Sequence, residues 1–261
     1  MSDTLLKVQT YSGVNDQHLR NVHIYAPSII WVKSGIKRVI QGTENYDIDA
    51  QLWLLTAVNQ DLSFINKPAK DHFYSVQICF LFPPTPEMIE ESKENRRRHE
   101  HLNAIKVSST LAYGFSLLIE MSSQNLSSNV QKHHLFAFYQ QLVEVGALHV
   151  LFSESHDSLQ NKLSAYFSKD PAENYQLDEV SHAFSMSRAT LIRRLNQDGT
   201  NFRTVLANVR MSHALSLMQE RKQSQLDLAL QCGYQSETRF SQRFHQQFGI
   251  TPKQYMKTLS Y

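Results

Sequence analysis

Leu177-Asp178-Glu179-Val180-Ser181-His182-Ala183-Phe184-Ser185-Met186-Ser187-Arg188-Ala189-Thr190-Leu191-Ile192-Arg193-Arg194-Leu195 decides how this chain is read. A short helix with apolar residues at helical spacing is followed by a tight turn. A second helix then opens on Ser187 and carries Arg residues, the pattern of a helix-turn-helix closed by Gly199. The same pattern returns as Leu226-Asp227-Leu228-Ala229-Leu230-Gln231-Cys232-Gly233-Tyr234-Gln235-Ser236-Glu237-Thr238-Arg239-Phe240-Ser241-Gln242-Arg243-Phe244, closed by Phe248-Gly249-Ile250-Thr251-Pro252. Between them, residues 202–220 carry an apolar stripe of Phe202, Val205, Leu206, Val209, His213, Leu217 and Met218. A helix with that stripe holds the two units in fixed relation.

Each second helix has two faces. In the first, Leu191 and Leu195 share the buried side, and Ala189, Ile192, Arg193 and Gln197 fall opposite at ~100° per residue. That face suits a major groove. Arg193 can donate twice to guanine O6 and N7, and Ala189 or Ile192 can touch a thymine methyl. Arg188 and Arg194 flank the face and suit phosphates. In the second unit Phe240, Phe244 and Phe248 form the buried edge, leaving Glu237, Thr238, Ser241 and Gln242 outward. Arg239 and Arg243 lie at its margins as phosphate candidates. Ser187 and Ser236 are expected N-caps, and Gly233 supplies the positive φ of its turn.

The region from Asn161 to Tyr261 resembles the AraC/XylS family of bacterial transcription regulators. The resemblance rests on Leu191-x-Arg193-x-Leu195 with Gly199, and on Arg210-Met211 with Ala214 and Leu217-Met218. It continues through Ala229-x-x-Cys232-Gly233-Tyr234, Phe240-x-x-x-Phe244 and Phe248-Gly249-x-Thr251-Pro252-x-x-Tyr255. It implies two recognition helices in successive major-groove segments of double-stranded DNA. The base-reading positions would be Ala189, Ile192 and Arg193, then Glu237, Thr238, Ser241 and Gln242. It also implies a regulator, an activator, that meets RNA polymerase. The family pattern has Arg where Met256 stands and often Ala where Ser181 stands; neither position touches a reading face.

Charge supports a divided chain. Residues 162–261 hold 13 Lys+Arg against 8 Asp+Glu, whereas residues 1–161 hold 13 against 16. A basic part beside an acidic part suits one module that meets nucleic acid and one that does not. Residues 1–20 are weakly patterned. Residues 22–25, 29–33, 37–41, 45–48, 51–58, 61–65 and 72–82 are short β-branched and aromatic runs separated by turn signals, which predict a sandwich or small barrel. Pro83-Pro84-Thr85-Pro86 ends the strands. Residues 88–101 read as a charged helix or connector, and 107–121 and 130–152 as helices that close the β domain or pair with a second copy. The expected fold is α+β. A sensor and dimerisation domain spans residues 1–154, with a cupin-like β-barrel or sandwich over about 20–82 and helices over about 88–152. An all-α double helix-turn-helix domain spans residues 155–261. The first half also resembles the family's sensor domain at Ile24-Tyr25-Ala26-Pro27-Ser28-Ile29-Ile30, Ser34-Gly35-Ile36-Lys37-Arg38-Val39, Gly42 and Tyr46.

Trp31, Trp53, Phe64, Phe73, Tyr74 and Phe80 are candidates to line a pocket for a small apolar effector. Cys79 and Cys232 sit in apolar contexts and read as packed free thiols of a cytoplasmic protein. No signal-peptide core or membrane span is expected. No Gly-rich phosphate loop, nucleophile elbow or paired-carboxylate motif is present, so no cofactor, metal or catalytic residue is expected. The alternative is a metal-dependent cupin enzyme with an attached DNA-binding domain. It would need His18, His23 and His72 to converge, or His99-Glu100-His101 to act as a ligand pair.

Overall fold

The computed structural model describes residues 4–70, 72–95, 103–153, 158–220 and 222–259. Its first half is a two-sheet sandwich built from β1 Leu6–Gly13, β2 Gln17–Ile24, β3 Ser28–Ser34, β4 Ile36–Gln41, β5 Glu44–Ile48, β6 Leu52–Thr56, β7 Gln60–Lys67, β8 Phe73–Phe80 and β9 Ala104–Lys106. One sheet runs β1-β8-β3-β6-β9 and the other β2-β7-β4-β5, with antiparallel pairing throughout.

The five-stranded sheet is covered on both faces. Ile29, Trp53, Leu55, Val76, Ile78 and Phe80 turn toward helices, while Ile30, Val32, Leu54, Phe73 and Ala104 turn toward the second sheet and meet Val39, Tyr46 and Ile48. Double burial explains why residues 53–55 read as a continuous apolar run and residues 76–80 as one interrupted only by the buried Gln77. The covering helices are α1 Pro86–Glu94, α2 Ser109–Ser122, α3 Ser128–Glu144 and α4 Leu148–Leu151. Leu135, Phe138, Tyr139 and Leu142 of α3 are buried against the sheet, so this helix pair closes the β domain. The helix expected over 130–152 breaks at Gly146, whose φ is 66°. Strand β1 falls where no element was expected. Its Gln9 side chain donates to the Ser216 hydroxyl and its Ser12 N–H to the Gln219 carboxamide oxygen, so polar groups of this strand are used up against the C-terminal half. Strand β9 has three residues, too few to show a period. His99-Glu100-His101, the end of the charged stretch and the division at residue 154 lie outside the described residues.

The second half is helical: α5 Leu159–Phe167, α6 Leu177–Ala183, α7 Arg188–Gln197, α8 Phe202–Glu220, α9 Gln225–Gln231, α10 Glu237–Phe248 and α11 Pro252–Met256. Its two cores differ in one respect. Leu159, Leu163, Phe167, Val180, Leu191, Leu195, Val205 and Val209 form the buried core of the first unit from this half alone. The core of the second unit, with Met218, Leu228, Phe240, Phe244 and Phe248, also takes in Leu19 and Phe64 of the sandwich. Among the described residues, no helix is long and apolar enough to cross a membrane.

Candidate nucleic-acid interface

Helices α6 and α7 make the first unit, α9 and α10 the second. Both turns need a left-handed residue. In the first it is Ser185 at φ 53°, in the second Gly233 at φ 74°. Both second helices start on the expected caps: the Ser187 hydroxyl accepts from the Thr190 N–H and the Ser236 hydroxyl from the Arg239 N–H. These caps satisfy donors that the first helical turn leaves open.

On α7, Leu191 and Leu195 are buried, while Ala189, Ile192, Arg193 and Arg194 are exposed. An open hollow is lined by Ala189, Ile192, Arg193, Asn196 and Gln197. Ile192 is 41% exposed, an apolar surface with no partner in the fold's own cores. On α10, Phe240, Phe244 and Phe248 are buried, Glu237, Thr238, Arg239 and Gln242 are exposed, and Ser241 and Arg243 are half-buried. The flanking cations are not equivalent. Arg188 lies 3.6 Å from Asp178 of α6 in an exposed ion pair, which solvent screens to little net energy. The Nε of Arg243 is buried without a hydrogen-bond partner among the described residues.

Arg210 of α8 is engaged within the fold. It points inward. Its Nε donates to the Pro171 carbonyl at 3.0 Å and Nη2 to the Glu173 carbonyl at 2.8 Å. Its guanidinium carbon also lies 5.6 Å from the centre of the Tyr234 ring. One side chain of α8 thereby ties the segment before α6 to the turn of the second unit.

The sandwich grips the second unit by a polar seam that sequence reading missed. Gln17 donates to the Thr258 hydroxyl, the Val14 N–H to the Thr258 carbonyl, and Gln219 of α8 accepts from the Ser12 N–H. His213, also on α8, is half-buried; burial and then the charge of Lys7 hold its imidazole below the usual histidine range. The only sequence signal for this seam was the polarity of residues 9–17, which reads equally well as a solvated terminus.

The six pocket aromatics do not share one cavity. Trp31, Trp53, Tyr74 and Phe80 pack between the five-stranded sheet and the helices, Phe64 packs toward the second unit, and Phe73 lies between the sheets. They are core, because each is met by close-packed neighbours; Trp53 and Phe115 rings lie 5.1 Å apart, and Phe80 and Tyr139 rings 5.6 Å apart. A cavity of about 940 Å³ lies elsewhere, at the sandwich edge beside α4; Ile24, Val39, Leu55, Leu62 and Val150 give it apolar wall, and Gln41, Thr56, Gln60, Asp61, Asn103, His149 and Ser153 give it polar wall.

The histidines of the cupin alternative stay apart. His18 and His72 are exposed, whereas His23 is buried between Asp61 and Gln160. Among the described residues no group of three His, Cys, Asp or Glu is placed to hold a metal. Cys79 and Cys232 are both buried. Burial pushes the Cys232 thiol up to about 12, so it stays protonated and unreactive at neutral pH.

Residues 180–258 match the model of a family described as a helix-turn-helix domain. The chain is 27% identical over 167 residues to the urease operon transcriptional activator of Escherichia coli, covering 60% of this chain and 55% of that protein. It is 30% identical over 148 residues to an uncharacterized HTH-type transcriptional regulator of Haemophilus influenzae, covering 56% and 47%. Thus it spans about half the length of these curated relatives. Among solved structures, ToxT from Vibrio cholerae O395 superposes with a TM-score of 0.62 at 18% identity, over 98% of both chains. ToxT of strain SCE256, solved with an unsaturated fatty acid bound, superposes with a TM-score of 0.58 at 17% identity, over 100% of this chain and 98% of that one. At such identities the likeness is one of fold: a two-sheet domain followed by a helical one.

Proposed function

We propose that the protein is a sequence-specific, double-stranded-DNA-binding transcription regulator of the AraC/XylS type, and an activator; the match of residues 180–258 to a helix-turn-helix family and the likeness to transcription regulators support this reading. One observation carries the reading. Two units, joined by α8, each bury one side of the second helix and leave the opposite, hydrogen-bonding side open. In this reading Ala189, Ile192 and Arg193 read one groove segment, and Glu237, Thr238, Ser241 and Gln242 the next. Arg188, Arg194, Arg239 and Arg243 contact phosphates. The two helices engage one duplex about one turn, ~34 Å, apart. RNA polymerase is the second macromolecular partner, and the protein works in the cytoplasm.

The division into a sensor domain over residues 1–154 and a DNA-binding domain over 155–261 belongs to the same proposal. So does a small apolar or amphipathic effector. The site that supports it is the 940 Å³ cavity beside α4, not the six aromatics. A fatty acid bound to a protein of this fold supports an effector of that class. Tyr113, Leu117 and Val130 leave apolar surface on the outer side of α2 and α3, which supports a homodimer through those helices. A metal-dependent enzyme has no observation in its favour.

Selection of bound duplexes from a random pool tests the reading. It predicts enrichment of a motif with two short blocks, about 10 base pairs apart. A pool that emerges without sequence preference would remove the proposal.

A further inference from the structure

The two helix-turn-helix units share one helix, α8, but not one core. Val205 and Val209 of α8 belong to the buried core of the first unit, whereas Met211, Ala214, Leu215, Leu217 and Met218 belong to that of the second. Arg210 stands between the last residue of one set and the first of the other. We infer that Arg210 is the positioning residue that holds the two reading helices at one separation, and so fixes how far apart the two halves of a DNA site must lie. The inference rests on the reading of α7 and α10 as base-contacting helices.

The guanidinium meets both units at once. Toward the first it spans two main-chain carbonyls of the segment before α6, with Nε donating to Pro171 at 3.0 Å and Nη2 to Glu173 at 2.8 Å. That segment is itself braced. The Ala172 N–H donates to the Asp170 carboxylate at 3.1 Å, and the Glu173 N–H to the Asp170 carbonyl at 3.2 Å. Just beyond it the Tyr175 ring lies 4.7 Å from that of Phe167, and Phe167 packs in the core that holds Leu191 and Leu195 of α7. Toward the second unit the guanidinium carbon lies 5.6 Å from the centre of the Tyr234 ring. It also lies against Gly233, where a Cβ would come within 2.6 Å of Nη2. The Tyr234 ring in turn meets that of Phe240, near the start of α10, at 5.8 Å.

This double contact needs a planar fork. Arginine offers its donors in a fixed plane whose face stays free to lie on a ring, whereas lysine offers a point charge on a flexible stem. Without the guanidinium the units remain joined by α8, each on its own core, and can rock about residues 209–211. Two linked binding modules gain avidity only where the link matches the span between their sites. A rigid joint therefore favours one span steeply, and a loose one spreads weaker binding over several.

The test varies the spacer between the two blocks that the wild-type protein selects, one base pair at a time, and measures affinity for each duplex. Adding or removing one base pair moves the second block by about 3.4 Å and turns it by about a tenth of a turn. Wild type should lose at least about tenfold in affinity one base pair either side of its optimum. Arg210→Ala should narrow that ratio to about threefold or less, with the bases preferred inside each block unchanged. Arg210→Lys, the milder change, keeps the charge without the fork and should narrow the ratio too. A partly unfolded variant binds less of every duplex in proportion, so lost stability alone leaves the ratio between spacers unmoved. Retention of the wild-type ratio by either variant, or a wild type indifferent to spacer length, would overturn the inference while leaving the assignment of the reading helices intact. A wild type that selects no pair of blocks would remove that assignment, and the inference with it.

Discussion

Gln17 of β2 donates through Nε2 to the Thr258 hydroxyl, 3.1 Å away and 241 residues later in the chain. The bond is the last link of a buried series. Lys37 Nζ donates to Asn66 Oδ1 at 2.6 Å, and Asn66 Nδ2 donates to Gln17 Oε1 at 2.8 Å. Lys37, Asn66, Gln17 and Thr258 are 3%, 2%, 0% and 8% exposed, so water cannot replace a lost partner. Gln17→Leu therefore strands Asn66 and should cost about 1–3 kcal/mol in urea unfolding. Paired with Thr258→Val, it should show a coupling of about 0.5–1.5 kcal/mol in a double-mutant cycle. Strict additivity of the two changes would contradict this reading of the seam.

Lys37 sets a pH dependence. Burial pushes its ammonium well below the usual lysine range, and its Nζ lies 3.4 Å from the centre of the Phe64 ring. The unfolded chain then binds more protons than the folded one, between the depressed folded value and the unfolded value of about 10.4. Stability from this residue accordingly rises with pH through that window. Lys37→Met removes the titration, so the variant's stability relative to wild type should fall as pH climbs from 7 toward 10. Unfolding curves at several pH values check the sign; parallel profiles would contradict it.

Two turns of the same shape carry different residues. Ser185 occupies φ 53° and Gly233 φ 74°. Ser185→Gly should relieve left-handed strain and stabilise by about 1 kcal/mol. Gly233→Ala should destabilise by more than about 1 kcal/mol, because the added carbon would also lie 2.6 Å from Arg210 Nη2. Thermal unfolding of both variants should move in opposite directions.

Arg194 and Arg239 are exposed at the margins of the two reading faces. If each meets a phosphate, Arg194→Ala and Arg239→Ala should weaken binding equally on all sequences. Each should also reduce the slope of log affinity against log salt by about one. A changed sequence preference with an unchanged slope would move these residues into base contact.

The helical half was legible because its information is local. Leu191 and Leu195, or Phe240, Phe244 and Phe248, mark the buried side within a single helix, and the opposite side follows from helical geometry. The sandwich was legible as texture only. Residues 53–55 and 76–80 announce burial, but with both faces covered their alternation is lost, and the aromatics that looked like a pocket are its packing. What joins the halves was not legible. Gln17, Asn66 and Thr258 look like surface residues until the fold brings together positions far apart in sequence. The cavity beside α4 is invisible for the same reason, since its walls come from five strands, the segment at Asn103 and the end of the helical layer.

Whether α7 and α10 read neighbouring segments of one duplex is decided by a footprint of the wild type beside Arg193→Ala and Gln242→Ala on a selected site. Two protected blocks are expected on one face of the DNA, about 10 base pairs apart. Arg193→Ala should cost about 1–3 kcal/mol and relax preference in one block only, with Gln242→Ala relaxing the other. Protection of a single block, or both variants relaxing the same block, would contradict this reading.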